Sequence, residues 1–202
     1  MTEAEWLVTT ELAPLFLRLG RLQSARLSRL QQSACHRFAW IDLPSEVRRC
    51  IEILEQFADG IATDTDLAAV RLVFAPFAGR RIFRQDELVV FRVIQRVLAT
   101  LDSPDTFSIT WDKNQPERTA STIRDIFGNP FRPASLDPSW LTSTVLALAE
   151  GIYQDRAFHR MPVLADALQD AGCENLDILD HCRCDRSHVR GCWVVDLLTG
   201  RS

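Results

Sequence analysis

Residues 161–200 read MPVLADALQDAGCENLDILDHCRCDRSHVRGCWVVDLLTG, and this stretch shows the pattern from which the fold is predicted. Pro162 stands where a first helical turn would begin, apolar residues follow at helical spacing, and Gly172 ends the run. Asn175 then caps a second, shorter run, and a third begins near Gly191. Short amphipathic runs separated by Pro, Gly and polar caps are typical of packed helices.

Signals for the starts and ends of helices also occur between this stretch and the N-terminus. Thr2 and Glu5 match a capping box, which predicts a first helix with Trp6 and Leu7 facing inward. Residues 85–101 form the strongest helical pattern of the chain. We therefore predict an all-α protein of about ten short-to-medium helices, packed as an orthogonal or antiparallel bundle without a significant sheet.

One segment interrupts the helical pattern. Residues 102–118 contain two prolines and many Ser, Thr and Asp residues, a composition typical of a loop. Residues 107–111 alternate as a strand would, but one short strand without a partner makes no sheet. We predict an N-terminal helical half at 1–101 and a C-terminal half at 119–202, which share an interface in one compact unit.

Composition and charge narrow the functional classes. The chain of 202 residues is 47% hydrophobic and 25% charged, the balance of a globular protein, and its net charge of −4 gives no general attraction to nucleic acid or acidic membranes. The N-terminus lacks the pattern of a signal peptide, and apolar runs fall short of the ~20 residues that span a bilayer. We expect a cytoplasmic protein whose cysteines are reduced, with no membrane partner.

The C-terminal stretch contains a cluster of candidate metal ligands. Cys182, Cys184, His188 and Cys192 offer three sulfurs and one nitrogen, the donor types that zinc binds as a tetrahedron. Their spacing is not that of a standard zinc finger, and a cysteine beside Trp193 at the start of an apolar helix is also typical of a core residue. Both interpretations, a structural zinc site and core packing, stay open, and no C-x-x-C motif supports redox chemistry.

Sequence motifs for catalysis are missing. The chain has no glycine-rich phosphate loop, no G-x-S-x-G and no H-E-x-x-H. Asp180 and His181 are adjacent, but neighbouring residues on a helix point about 100° apart and do not form a catalytic pair. We expect a non-catalytic helical interaction or adaptor module with a protein partner. The alternative is a zinc protein in which the metal is structural and not catalytic.

A second alternative is nucleic-acid binding through N-terminal arginines. Arg26, Arg29 and Arg37 lie in an arginine-rich segment that also contains Phe38 and Trp40, the residue types that bind phosphates and stack on bases. The arginines are spread over several elements and the chain as a whole is acidic. We expect this to be the weakest of the three functions.

Several stretches together resemble an uncharacterised family of bacterial proteins that is abundant in planctomycete-type genomes. The matching stretches are MTEAEWL at 1–7, SACHR at 33–37, TIRDIFGNPFRP at 122–133, GIY at 151–153, LADAL at 164–168, AGC at 171–173 and HVRGCWVVD at 188–196. The chain departs from the family's Gly- and Pro-rich segment before His188, where it has Cys184 and Asp185. The resemblance brings no established activity or site residues with it.

Overall fold

The computed structural model describes residues 1–20, 24–75, 90, 92–95, 97 and 115–201. This part of the chain is all-helical and contains no strand, as predicted. Three short 3-10 helices lie between its α-helices, at Arg37–Asp42, Pro138–Trp140 and Phe158–Arg160. The α-helices are α1 (Glu3–Val8), α2 (Leu12–Leu19), α3 (Ala25–His36), α4 (Ser45–Ala58), α5 (Asp64–Phe74), α6 (Pro116–Phe127), α7 (Ser143–Asp155), α8 (Met161–Asp170), α9 (Leu176–Arg183) and α10 (Trp193–Thr199).

Two predicted features fall wholly or mostly outside the described residues. They are the loop at 102–118, of which only 115–118 are described, and most of the helix at 85–101. The strand-like run at 107–111 belongs to the first of them. The described positions of the predicted helix (Val90, residues 92–95 and Val97) are helical.

Contacts divide the chain into two compact units, Met1–Leu22 with Gln115–Ser202, and Gln23–Asn114. The first two helices therefore group with the C-terminal helices, whereas the predicted division assigned residues 1–101 to one half. The physical reason is the packing of α2 on α6, in which Leu15 and Leu19 join Ala120 and Ile123 in one apolar cluster. Local sequence patterns do not reveal a contact between segments so far apart.

The unit that contains both chain ends has two apolar cores. In the larger, α7 packs on α8 and α10, and α9 packs on α8, around fully buried side chains such as Ile152 and Leu164. In the smaller, Trp6 of α1 lies against α2 and α6 and is 1% exposed. Burial of a large side chain contributes about 1.5–3 kcal/mol, so these cores hold the helices that carry the site in place.

The other unit consists of α3, α4 and α5 with the described part of 90–97. Its core includes Ile51, Phe74 and Ile94, each no more than 1% exposed. Two ion pairs supplement it, Arg26 with Asp59 and Arg37 with Glu55.

Two predicted helix caps are confirmed. The Thr2 capping box is formed, and Asn175 caps α9 through a hydrogen bond from the Ile178 main-chain N–H. Gly20 ends α2 with a positive φ. Trp6 is buried as predicted, but Leu7 is 48% exposed, because adjacent positions on a helix face different directions.

Two helix starts in the C-terminal part follow from proline and from a threonine cap. Helix α6 begins at Pro116, because proline suits the first helical turn, where its missing N–H would be unpaired. Asp137 caps only the 3-10 turn Pro138–Trp140. Thr142 then starts α7 anew, since its hydroxyl accepts a hydrogen bond from the Val145 main-chain N–H.

Candidate metal centre

Four side chains converge on one point in the unit that contains both chain ends. Asp125, His181, His188 and Cys192 each direct one potential ligand atom to this point, and these atoms lie within 4.8 Å of one another. The side chains of Asp125, His181 and His188 are 5%, 9% and 4% exposed, and Cys192 is 0% exposed. The cluster is therefore shielded from bulk water on most sides.

The convergence depends on three helices and one loop. Asp125 lies on the buried face of α6, His181 in the last turn of α9, and Cys192 at the N-cap of α10, while His188 lies in the loop between α9 and α10. Helix α10 packs on both α6 and α9, which brings the four side chains together.

The distances within the cluster can be compared with the spacing of ligand atoms around a zinc ion. His181 Nε2 lies 3.2 Å from both Asp125 Oδ1 and Cys192 Sγ, and His188 Nδ1 lies 2.6 Å from Asp125 Oδ1 and 3.8 Å from Cys192 Sγ. Zinc bonds of about 2.3 Å to sulfur and about 2.0–2.2 Å to nitrogen or oxygen place tetrahedral neighbours about 3.3–3.6 Å apart. The observed separations lie on both sides of that range.

The distances around His181 do not fit a nucleophile–His–acid triad. In such a triad the two partners contact opposite nitrogens of the imidazole, and the acid holds the ring in the tautomer that can accept the proton of the nucleophile. The thiol of Cys192 and the carboxylate of Asp125 both face Nε2 of His181, as ligands around one point do. His188 differs, because Asp125 lies at its Nδ1 and the sulfur of Cys184 lies 3.9 Å from its Nε2.

Neighbouring groups hold the ligands in place. The main-chain N–H of Val189 donates to Asp125 Oδ2 at 2.8 Å, which leaves Oδ1 directed into the cluster. The indole N–H of Trp193 donates to His181 Nδ1 at 3.0 Å. Gly128 lies against the indole ring, because a Cβ at that position would come within 3.2 Å of its carbons. The bond from Val189 is of the kind that fixes the orientation of a ligating carboxylate around a metal site.

Burial and hydrogen bonding set the charges in the cluster. Burial raises the pKa of Cys192 well above its ordinary value, and the charge of Asp125 adds to this, so the side chain is a thiol. Burial lowers the pKa of His181. Burial alone would raise the pKa of Asp125, but hydrogen bonds with His181 and His188 outweigh it and the net shift is downward. Asp125 is thus a buried carboxylate.

The hydrogen bond from Trp193 determines where His181 carries its proton. An indole N–H can only donate, so Nδ1 of His181 must accept and the neutral ring has its proton on Nε2. A metal ion would need the lone pair of Nε2. Binding of a metal would therefore require this proton to move to Nδ1 or to be lost, and a proton on Nδ1 would end the bond to Trp193.

The structure brings together two of the four ligands proposed from the sequence. His188 and Cys192 belong to the cluster, whereas Cys182 is fully buried in the larger apolar core, where burial raises its pKa to about 12. Cys184 lies on the other side of the His188 ring, with its sulfur 3.9 Å from Nε2, and its thiol donates to the His181 carbonyl. Asp125 and His181, which were not proposed from the sequence, complete the cluster.

Signals for the two additional residues were present in the sequence. Asp125 is a charged residue three positions after Thr122 and one before Ile126, on the face of α6 that carries its buried side chains. His181 lies three positions after Ile178, on the buried face of α9. A polar residue on an apolar helix face needs a partner.

The arginines proposed for nucleic-acid binding make contacts inside their own unit. Arg26 pairs with Asp59 at 3.0 Å, and Arg37 pairs with Glu55 at 2.7 Å. The guanidinium of Arg29 lies over the ring of Phe57. The two ion pairs occupy guanidinium groups that a phosphate would need, so the structure adds no support for a nucleic-acid surface.

Comparisons with protein-family models, with curated proteins and with solved structures found no match for this chain. The resemblance to a bacterial family therefore stays a prediction. Among the described residues, no helix combines the length and the apolar character needed to cross a membrane.

Proposed function

We propose that the protein binds one zinc ion through Asp125, His181, His188 and Cys192, and that the ion has a structural role. The observation that carries the proposal is the convergence of four buried donor atoms within 4.8 Å of one another. They come from segments that are distant in sequence, with Asp125 63 positions before His188. Metal binding would therefore join α6 to the two C-terminal helices.

The number and burial of the ligands favour a structural role over a catalytic one. Structural zinc sites have four protein ligands, whereas catalytic sites have three and leave one position open for water. Four candidate donors are present here, and each side chain is at most 9% exposed. The interaction function predicted from the sequence stays a prediction, and a structural zinc ion is compatible with it.

The donor types favour zinc over other metals. One thiolate, two imidazoles and one carboxylate form a set of borderline softness, which suits zinc and is too nitrogen- and sulfur-rich for Mg²⁺ or Ca²⁺. With the two anionic ligands deprotonated, a divalent ion leaves the centre neutral. This charge balance lowers the cost of burying the ion.

The test is the zinc content of the purified protein and of matched variants. We expect one zinc per chain in the wild type, a large loss in His181→Gln and Cys192→Ser, and full retention in Cys184→Ser. The last variant is the control, because it removes a thiol of the same segment that lies outside the four ligands. Circular dichroism before metal analysis separates a lost site from an unfolded chain.

Zinc in the wild type at well under one equivalent, after purification without chelator, would contradict the proposal. Equal loss of zinc in Cys184→Ser and Cys192→Ser would contradict the assignment of the ligands.

A further inference from the structure

A small pocket opens beside the candidate metal centre. It is lined by Ser121, Arg124, Asp125, His181 and Arg186, of which Asp125 and His181 are proposed ligands. It has room for roughly one water molecule or one oxygen atom of a larger group.

Two arginines give this pocket its charge. Arg124 donates hydrogen bonds to the main-chain carbonyls of Trp6 and Thr9, and Arg186 donates to the sulfur of Cys184. Within the described part of the chain, neither guanidinium forms an ion pair with a carboxylate. Burial lowers the pKa of Arg124, and the positive charge of Arg186 lowers it further, so the two cations repel each other.

The metal centre would make the pocket more attractive to an anion. A zinc ion bound by the anionic forms of Asp125 and Cys192 has no net charge, which leaves the two guanidinium charges uncompensated. Guanidinium groups bind carboxylates and phosphates through charge-assisted hydrogen bonds, and the hydroxyl of Ser121 can donate one more.

We propose that the pocket formed by Ser121, Arg124 and Arg186 binds one oxygen of a small oxyanion, a carboxylate or a phosphate. The inference rests on the proposed function in one respect, because without the metal the charge of Asp125 opposes the anion. The pocket would provide a binding position for an external ligand next to the structural zinc centre. The size of the pocket restricts entry to a single oxygen atom, with the rest of the ligand outside.

Isothermal titration calorimetry of the zinc-loaded protein with inorganic phosphate, and separately with acetate, tests this inference at low ionic strength. We expect binding by the wild type, and a loss of affinity of about tenfold in Arg186→Gln, the equivalent of one charge-assisted hydrogen bond. Ser121→Ala should weaken binding less. The two anions show which oxyanion class the pocket prefers.

Arg183→Gln is the matched control. Arg183 lies three positions before Arg186, pairs with Asp166 at the surface and does not line the pocket. Absence of binding to the zinc-loaded wild type, or equal weakening by Arg183→Gln and Arg186→Gln, would overturn the inference while leaving the zinc site intact.

If the wild type takes up no zinc, the proposed function fails, and the same titration on the metal-free protein then decides the inference. Binding that depends on Arg186 would preserve it, and no binding would end it.

Discussion

At the scale of single residues, the site depends on where hydrogen atoms lie. Trp193 donates to Nδ1 of His181, and the opposite nitrogen of that ring faces Asp125 and Cys192. In the metal-free protein this bond stabilises the tautomer that points a proton into the cluster. The same bond must be given up if Nε2 is to bind a metal with Nδ1 protonated.

Replacing Trp193 with phenylalanine should therefore strengthen zinc binding. Trp193→Phe keeps an aromatic ring in place but removes the donor that holds Nδ1 of His181 as an acceptor. Loss of one hydrogen bond of about 1 kcal/mol from the metal-free state corresponds to an affinity gain of about fivefold. Competition with a chromophoric chelator measures the affinity.

Trp140→Phe is the control for this experiment, since Trp140 packs on the larger apolar core and is not part of the ligand cluster. Its affinity should equal that of the wild type. Weaker zinc binding by Trp193→Phe than by Trp140→Phe would show that the indole supports the bound ion, contrary to the tautomer argument.

At the scale of helices, the site depends on the close approach of α6 and α10. Gly128, the C-cap of α6, has a φ of 63° and touches the indole of Trp193, the first residue of α10. This contact needs a residue without a side chain. It fixes the distance between the helix that carries Asp125 and the helix whose N-cap is Cys192.

Gly128→Ala should destabilise the protein more than Gly172→Ala. Both glycines have a positive φ, and the ψ of −149° places Gly128 in a region that essentially only glycine adopts, so alanine costs about 1–3 kcal/mol from backbone strain. Only at Gly128 would the new methyl group meet another side chain, whereas Gly172 faces open space. Chemical denaturation measures the two free energies of unfolding, and equal losses would contradict the proposed packing role of Gly128.

Contacts between residues close in sequence could be predicted from the sequence, whereas contacts between distant residues could not. Thr2 and Asn175 were predicted correctly as helix caps because a cap is a contact between residues three positions apart. His188 and Cys192 were proposed together with Cys182 and Cys184, and the structure places only the first two in the cluster. Asp125 was missed because it lies 63 positions before His188, and only the packing of α6 brings it to the cluster.

At the scale of the whole molecule, removal of the metal should affect one unit and not the other. All four proposed ligands belong to the unit Met1–Leu22 with Gln115–Ser202, and none to Gln23–Asn114. Zinc at about 100-fold over its dissociation constant would stabilise its unit by about 3 kcal/mol. After chelation, amide hydrogen exchange should therefore accelerate in α6, α9 and α10.

Helices α3 and α4 provide the internal control, because their exchange should not change on chelation. A uniform acceleration over both units would contradict a local role for the metal. No change anywhere would mean that the ion does not hold the C-terminal helices together.

The most direct test of the central claim is X-ray absorption spectroscopy at the zinc edge of the metal-loaded protein, because it counts the sulfur atoms bound to the ion. The structure predicts one sulfur at about 2.3 Å and three nitrogen or oxygen atoms at about 2.0–2.2 Å. These would be Cys192 with His181, His188 and Asp125. A first shell of three sulfurs and one nitrogen, as Cys182, Cys184, Cys192 and His188 would provide, would contradict it.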